Sequence, residues 1–242
     1  MKDKLELYLC EALGLGIFMI SAGFFAAVID RPDMPLYHYI PSEILRRAII
    51  GITMGLTAFF IINSSFGKKS GAHINPSVTI VQYRLGNINA IDAIFYILFQ
   101  FIGAALGVLL IYLLMPHPIA SPPVNYIVTR PYPTITIAFI AEFVISFILI
   151  TVVLYSNTTK SLSAYTATFV AIMIAVFITI EAPFSGMSMN PARSFGSAII
   201  ANQWPAFWIY CIAPPLGMIT GELFVSKILH KDLNNVTLQN EK

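Results

Sequence analysis

Two short segments of the sequence place an asparagine directly before a proline and share the pattern S-G-x-x-x-N-P. They are SGAHINP at residues 70–76 and SGMSMNP at residues 185–191. Asparagine is a strong helix N-cap, because its side-chain oxygen accepts a hydrogen bond from a free backbone N–H. Proline suits the first helical position, where no N–H is needed. Each segment therefore predicts a new helix that starts inside apolar sequence.

The two helices that these caps begin are expected to be short, over residues 76–85 and 191–201. Helices of this length extend roughly 15 Å, half the thickness of the hydrocarbon core. Two half-helices that enter a bilayer from opposite sides would bring Asn75 and Asn190 together near its midplane. Each helix N-terminus carries about half an elementary positive charge, so the pair would repel cations and protons while a neutral molecule passes.

The residues before each cap are expected to be extended and to expose their carbonyl groups. Such backbone is tolerated at membrane depth only where it lines a water-filled path or is buried in protein. The predicted pore carbonyls belong to Gly71, Ala72, His73, Ile74, Gly186, Met187, Ser188 and Met189. The predicted midplane boxes are Asn75-Pro76-Ser77 and Asn190-Pro191-Ala192. His73 is interpreted as a structural histidine, with a pH sensor as the alternative.

The two segments differ where Val78 of the first aligns with Arg193 of the second. An arginine among apolar residues is costly inside a membrane and is by default functional. Arg193 is therefore predicted to narrow the pore and to add a fixed positive charge to one side of it. A role in pinning a loop through backbone carbonyls is the alternative, and the two roles are compatible.

The chain that carries these segments is 57% hydrophobic and 11% charged, with a mean hydropathy of +0.77. Soluble domains carry about 25% charged residues, so the composition predicts a membrane protein. About 20 apolar residues span a bilayer as a helix. Six stretches qualify, at residues 7–28, 44–66, 90–114, 135–156, 162–182 and 206–228. The formal net charge of +2 says little about partners, and no nucleic-acid partner is expected.

The predicted fold is an all-α membrane protein with six transmembrane helices and two re-entrant half-helices, in an inverted repeat of three helices and three. The expected units are a first repeat at 1–114, a proline-rich linker at 115–134, a second repeat at 135–229, and a cytoplasmic tail at 230–242.

Flanking Lys and Arg residues favour cytoplasmic termini, with nine on the inner side against four on the outer. The expected location is the plasma (cell inner) membrane.

The sequence resembles the aquaporin (major intrinsic protein) family over nearly its whole length. The matching residues are SGAHINPSVT at 70–79, SGMSMNPARSFG at 185–196, QFIGAALG at 100–107, and Glu11 and Glu142 in the first and fourth helices. The resemblance implies a homotetramer with four pores and passive flow of water or small neutral solutes. Ser77 departs from the family's usual alanine, and because asparagine and proline supply the capping, the change should be tolerated.

The resemblance also implies an outer selectivity filter built from aromatic residues and an arginine. The corresponding positions are Met54 or Gly55, Ile178, Met187 and Arg193. The second-helix position can be either Met54 or Gly55, because this chain has about one residue more than the family pattern before Gly67. Water-selective members typically have histidine where this chain has Ile178, so the filter is more apolar here. Water is the first expectation for the solute, and glycerol or another small neutral solute is the alternative.

Glu11 and Glu142 fit either an ion-coupling site or a bracket that holds the loop backbone, and their symmetric placement together with the resemblance favours the bracket. Glu181 fits either a contact with the re-entrant loop or a solvated helix end. An ion-coupled transporter using these three glutamates is the second functional hypothesis, and a structural protein with a closed pore is the third. No nucleophile–base pair or metal cluster is apparent, so neither an enzyme, a cofactor nor a metal is expected.

Overall fold

The computed structural model describes residues 2–229 and Leu233, with only the backbone described at residues 2 and 3. In chain order, its main helices are α1 (Lys2–Ile29), α2 (Glu43–Asn63), α3 (Pro76–Arg84), α4 (Ala90–Leu114), α5 (Ile135–Thr158), α6 (Thr166–Ile180), α7 (Pro191–Ala201) and α8 (Trp208–Leu223). All except α3 and α7 belong to segments long and apolar enough to cross a membrane. Shorter helical segments cover Pro35–Tyr39, Ser65–Ser70, Pro116–Ala120 and Ala182–Ser185.

These helices confirm the predicted all-α fold with six spans and two half-helices. The half-helix predicted over 76–85 ends one residue earlier, because Leu85 is its C-cap. The half-helix predicted over 191–201 has these bounds in the structure. The region predicted as a linker at 115–134 contains the short helix Pro116–Ala120 and a 3₁₀ turn at Asn125–Ile127. Apart from Leu233, the predicted tail at 230–242 lies outside the described residues.

The long helices pack in three pairs, α1 with α4, α2 with α6, and α5 with α8. Glycines bring all three pairs into close contact, as the first and third pairs show. A Cβ added to Gly103 of α4 would lie 2.1 Å from the carbonyl oxygen of Ala12, and one added to Gly217 of α8 would lie 2.3 Å from that of Phe143. Because glycine has no side chain, the two backbones can approach closely at these positions.

Each half-helix packs against a long helix from the other half of the chain. The half-helix α7 contacts α4, and α3 contacts α8. Arg84 at the end of α3 reinforces the second contact, since its Nε donates to Glu222 Oε2 of α8 at 2.8 Å. Both half-helices therefore contribute to the packing between the two halves.

The two ends of the bundle are named here after Arg46, near the start of α2, and Lys68, just beyond its end. Arg46 is buried; it donates to Asp30 Oδ1 at 2.8 Å and to the carbonyl of Ile40 at 2.9 Å. Its guanidinium lies 4.0 Å from the centroid of the Tyr37 ring, which adds a cation–π contact. These contacts hold the loop between α1 and α2 against this end of the bundle.

Candidate functional site

A cavity of about 690 Å³ is lined by residues from both ends of the bundle. Asp30, Glu43 and Arg47 line it at the Arg46 end, and Asn63 and Lys68 line it at the other. Between these mouths the lining is mostly apolar and comes from α1, α2, α5 and α6 together with the two segments that precede the half-helices. Four helical stripes form this lining and recur every three or four residues, and of their members only Met54 and Ile178 were predicted from the sequence: Leu15, Phe18, Ala22 and Ala26; Ile50, Met54 and Ala58; Leu149, Val153 and Asn157; and Val170, Ile174 and Ile178.

The segments before the half-helices, residues 71–74 and 186–189, are called the first arm and the second arm. They were expected to be extended, and this expectation is wrong in part. The backbone is left-handed at Ala72 and Ile74, with φ of 47° and 40°, and at Met187 and Met189, with φ of 47° and 52°. Non-glycine residues rarely adopt such angles and persist there only when their surroundings impose them.

A buried glutamate imposes this conformation on each arm. Glu11 accepts hydrogen bonds from the backbone N–H of His73 at 3.0 Å and of Ile74 at 2.5 Å. Glu142 accepts them from Ser188 and Met189, both at 2.7 Å. In a trans peptide the C=O points opposite to the N–H, so the preceding carbonyls point away from each glutamate. The alternating left-handed residues thus give both arms one edge of N–H groups and one edge of carbonyls.

Further side chains complete the two clusters around the glutamates. Ser70 Oγ and Gln100 Nε2 both donate to Glu11 at 2.7 Å, and Ser185 Oγ donates to Glu142 at 2.5 Å. A buried carboxylate is costly unless it is hydrogen-bonded, and these contacts meet that requirement. All eight residues predicted as pore carbonyls line the cavity.

The two asparagine caps meet and connect the halves of the chain. Asn75 Oδ1 accepts from the N–H of Ser77 at 2.8 Å, while its Nδ2 donates to the carbonyl of Met189 at 2.8 Å. Asn190 Oδ1 accepts from the N–H of Ala192 at 3.0 Å, while its Nδ2 donates to the carbonyl of Ile74 at 2.8 Å. An amide nitrogen carries two hydrogens, so each asparagine retains one donor beyond this exchange.

The prolines and the residues after them lie outside the cavity lining. Pro76, Ser77, Pro191 and Ala192 are buried in the first turns of α3 and α7. Ser77 Oγ is buried and has no hydrogen-bond partner among the described residues.

Met54, Ile178, Met187 and Arg193 all line the cavity. Gly55 faces α6 instead, since a Cβ there would lie 2.3 Å from the carbonyl oxygen of Ala171. The side chains of an α-helix lean towards its N-terminus. Because α2 begins at the Arg46 end and α6 at the Lys68 end, Met54 and Ile178 lean towards each other along the cavity.

Arg193 has contacts with both the cavity and a loop. It lines the cavity, and its Nη1 donates to the carbonyl of Ile127 at 2.8 Å. His73 has the contacts of a structural histidine, with its Nδ1 3.2 Å from Thr79 Oγ1 and its ring centroid 5.0 Å from that of Tyr96.

Glu181 contacts the second arm's anchor, Ser185, and is only 7% exposed, so its helix end is not solvated. Its spacing of four residues from Ser185 is the sequence signal for this contact. Among the described residues, no group of His, Cys, Asp and Glu side chains could hold a metal ion.

Comparison with known proteins places this geometry in a family. The chain matches the family described as Major intrinsic protein over residues 3–225. Aquaporin NIP1-1 of Arabidopsis thaliana is 31% identical over 232 residues, which cover 94% of this chain and 75% of that protein. Aquaporin-4 of Mus musculus is 30% identical over 181 residues, covering 73% of this chain; the match spans 55% of aquaporin-4, little more than half of its length.

A solved structure has the same fold. The aquaglyceroporin from Plasmodium falciparum superposes with a TM-score of 0.78 and 22% sequence identity. The match covers 93% of this chain and 97% of that one.

Proposed function

The chain belongs to the major intrinsic protein family, and we propose that it forms a passive channel for water and small neutral solutes. The observation that carries the proposal is the pair of asparagines in the cavity wall, each of which donates a hydrogen bond to a carbonyl of the opposite arm. Each cap fixes its own half-helix and the opposite arm, and each keeps one N–H that a passing solute oxygen can accept from. The solute passes unchanged, so the chain transports and does not catalyse a reaction.

Cation exclusion in this proposal comes from fixed positive charge. The N-termini of α3 and α7 meet at the two asparagines, and each carries about half a positive charge. Arg193 adds a full charge to the cavity wall. A cation or proton would meet these charges in a narrow, mostly apolar path, whereas a neutral solute exchanges hydrogen bonds with the arm carbonyls and the asparagine amides.

An ion-coupled transporter is less well supported by the same geometry. Glu11 and Glu142 each accept hydrogen bonds from two backbone N–H groups of an arm. We assign them the role of brackets that hold the arms, since neither lines the cavity.

The filter is assigned to Met54, Ile178, Met187 and Arg193. Three of these four side chains are apolar, so the filter offers a polyol both apolar contact and one charged donor. This observation supports conduction of glycerol or other small neutral solutes as the second candidate function, beside water.

The protein is an integral membrane protein. For its finer arrangement we propose two inverted repeats, at 1–114 and 135–229, joined by the linker at 115–134. The Lys68 end would face the cytoplasm of a plasma (cell inner) membrane with both chain termini, as the excess of flanking Lys and Arg residues on that side favours. Four copies would form a homotetramer with one pore in each.

Stopped-flow light scattering on proteoliposomes tests the function. After an osmotic step in sucrose, the vesicles should shrink faster than protein-free vesicles. A step in glycerol then separates the candidates, because rapid re-swelling indicates a polyol-conducting filter and slow re-swelling indicates a water channel. Rates equal to those of protein-free vesicles in both solutes would contradict the proposal.

A further inference from the structure

One serine hydroxyl on the second arm's anchor lies between two buried carboxyl groups. Ser185 Oγ is 2.5 Å from Glu142 Oε1 and also within hydrogen-bonding distance of Glu181 Oε1. It accepts a third contact, from the backbone N–H of Met187 at 3.2 Å. A hydroxyl has one hydrogen to donate and two lone pairs with which to accept. It cannot donate to both carboxyl groups, so one of the two must donate to it.

The contacts of the two carboxyl groups decide which one carries the extra hydrogen. Glu142 Oε1 and Oε2 accept from the N–H groups of Ser188 and Met189, and an N–H can only donate. Both oxygens of Glu142 are therefore acceptors, as in an ionised carboxylate. Glu181 Oε1 contacts Ser185, and its Oε2 is buried without a hydrogen-bond partner among the described residues. A neutral carboxylic acid satisfies these contacts at Glu181, whereas an ionised one would leave a charged oxygen buried and unpaired.

The first half of the chain provides an internal comparison. Ser70 Oγ donates to Glu11, and accepts from the N–H of Ala72 at 3.2 Å, just as Ser185 does with its own partners. The position four residues before Ser70, which corresponds to Glu181, holds Phe66. The first arm thus has the same anchor with one carboxyl group, and only the second arm, which carries Met187 of the filter, has two.

We propose that Glu181 is a positioning residue of the filter, and that a proton held between its carboxyl group and Ser185 Oγ keeps the second arm in its conducting conformation. This inference rests on the proposed channel function. When Glu181 loses the proton, two neighbouring carboxylates compete for one hydroxyl hydrogen. Ser185 then loses one of its contacts, and Met187 shifts with it because its N–H is bound to the same oxygen.

Each helix packed around the Glu181 region contributes a charged or titratable group. Glu142 of α5 and Arg193 of α7 act on it through their charges. Tyr210 of α8 donates to the carbonyl of Ser185 at 2.7 Å, and Arg47 of α2 donates to the carbonyl of Thr179 at 3.3 Å. Burial, and then the negative charge of Glu142, raise the pKa of Glu181 to about 8. We therefore expect Glu181 to be mostly neutral at pH 6 and mostly ionised at pH 9.

The test is the water permeability of proteoliposomes between pH 6 and pH 9. For the unaltered chain we expect a fall of about twofold at pH 8 and about tenfold at pH 9 relative to pH 6, following the fraction of neutral Glu181. Glu181→Gln should conduct at every pH without this fall, because its amide N–H donates to Ser185 as the neutral acid does. Glu181→Leu, which has no donor, should conduct poorly even at pH 6.

Glu6→Gln is the matched control, since Glu6 is an exposed carboxylate paired with Lys69; it should retain the unaltered pH profile. A flat profile for the unaltered chain, a profile rising with pH, or the same fall in Glu181→Gln would overturn the inference while leaving the channel function intact. No permeability above protein-free vesicles at pH 6 would instead contradict the channel function itself.

Infrared difference spectra give a second readout that does not depend on conduction. A protonated carboxylic acid has a C=O stretch distinct from that of a carboxylate. At pH 6 the Glu181→Gln variant should lack one such band that the unaltered chain shows, and an unchanged spectrum would overturn the inference.

Discussion

Arg193 Nη1 donates to the backbone carbonyl of Ile127 at 2.8 Å, so the arginine of the proposed filter is held by the segment that joins the two halves of the chain. Arg193 lies three residues after the second cap, and its own N–H is bound to Asn190 Oδ1 at 3.2 Å. One residue therefore links the midplane cap, the cavity wall and the connection between the halves.

Replacing this arginine should relax selectivity. For Arg193→Val we expect glycerol permeability to rise by about tenfold, the change that corresponds to a barrier lower by about 1.4 kcal/mol. Proton leakage should also rise, because the fixed charge is lost. Re-swelling in glycerol and a pH-sensitive dye inside the vesicles measure the two effects. Arg193→Lys keeps the charge and should leak fewer protons than Arg193→Val; equal leakage would contradict the role of the charge.

The first cap should matter for conduction beyond its effect on helix stability. Asn75→Ala removes the cap of α3, the donor to Met189 and the remaining donor in the cavity. We expect a loss of about 1 kcal/mol of stability, together with a clear fall in water permeability. Asn89→Ala is the matched control, because Asn89 caps α4 by accepting from the N–H of Asp92 at 3.0 Å and does not line the cavity. If both variants lost permeability equally, the asparagine would act through stability alone.

Ser77 should be dispensable for transport and unfavourable for stability. Its buried Oγ has no partner among the described residues, so Ser77→Ala should raise the free energy of unfolding by about 1 kcal/mol and leave permeability unchanged. Thermal unfolding in detergent measures the change. Ser156→Ala should have the opposite effect, since the Ser156 hydroxyl is also buried but lies 2.8 Å from Thr166 Oγ1. A loss of stability in Ser77→Ala would show that its hydroxyl has a partner.

A polar side chain at position 178 should shift the filter towards water. Ile178→His adds a hydrogen-bonding ring to a wall that is otherwise apolar, and we expect the ratio of glycerol to water permeability to fall by about tenfold. The two osmotic steps in sucrose and glycerol measure this ratio. Ile174→Val, on the same stripe of α6, should leave the ratio near its original value. An unchanged ratio in Ile178→His would remove residue 178 from the filter.

The main helices and the bounds of the second half-helix could be predicted from the sequence, because apolar length and Asn-Pro caps are local signals. The choice between Met54 and Gly55 as the filter position could not be made from local sequence, since the two residues are adjacent in α2. It depends on which side of α2 faces Ala171, a contact 116 residues away. The left-handed residues of the arms were also missed, because bulky Ile74 and Met189 do not favour that conformation and only the buried glutamates impose it.

Glu181 shows a different limit of prediction from sequence. Its type and position allowed a contact with the re-entrant loop or exposure to solvent, and sequence alone gave no reason to choose. The choice follows from the short helix Ala182–Ser185, which turns Ser185 back towards Glu181 and buries both side chains.

The packing of each half-helix on the opposite half of the chain has a consequence for biogenesis. When a ribosome has delivered only the first half to the bilayer, α3 has no α8 to pack against, and Asn75 has no Met189 carbonyl to bind. Glu11 can hold the first arm within the first half, but the first re-entrant segment completes its contacts only when the last helix of the chain is present. The cavity wall takes residues from both halves of the chain, so it is complete only after synthesis of the whole membrane domain.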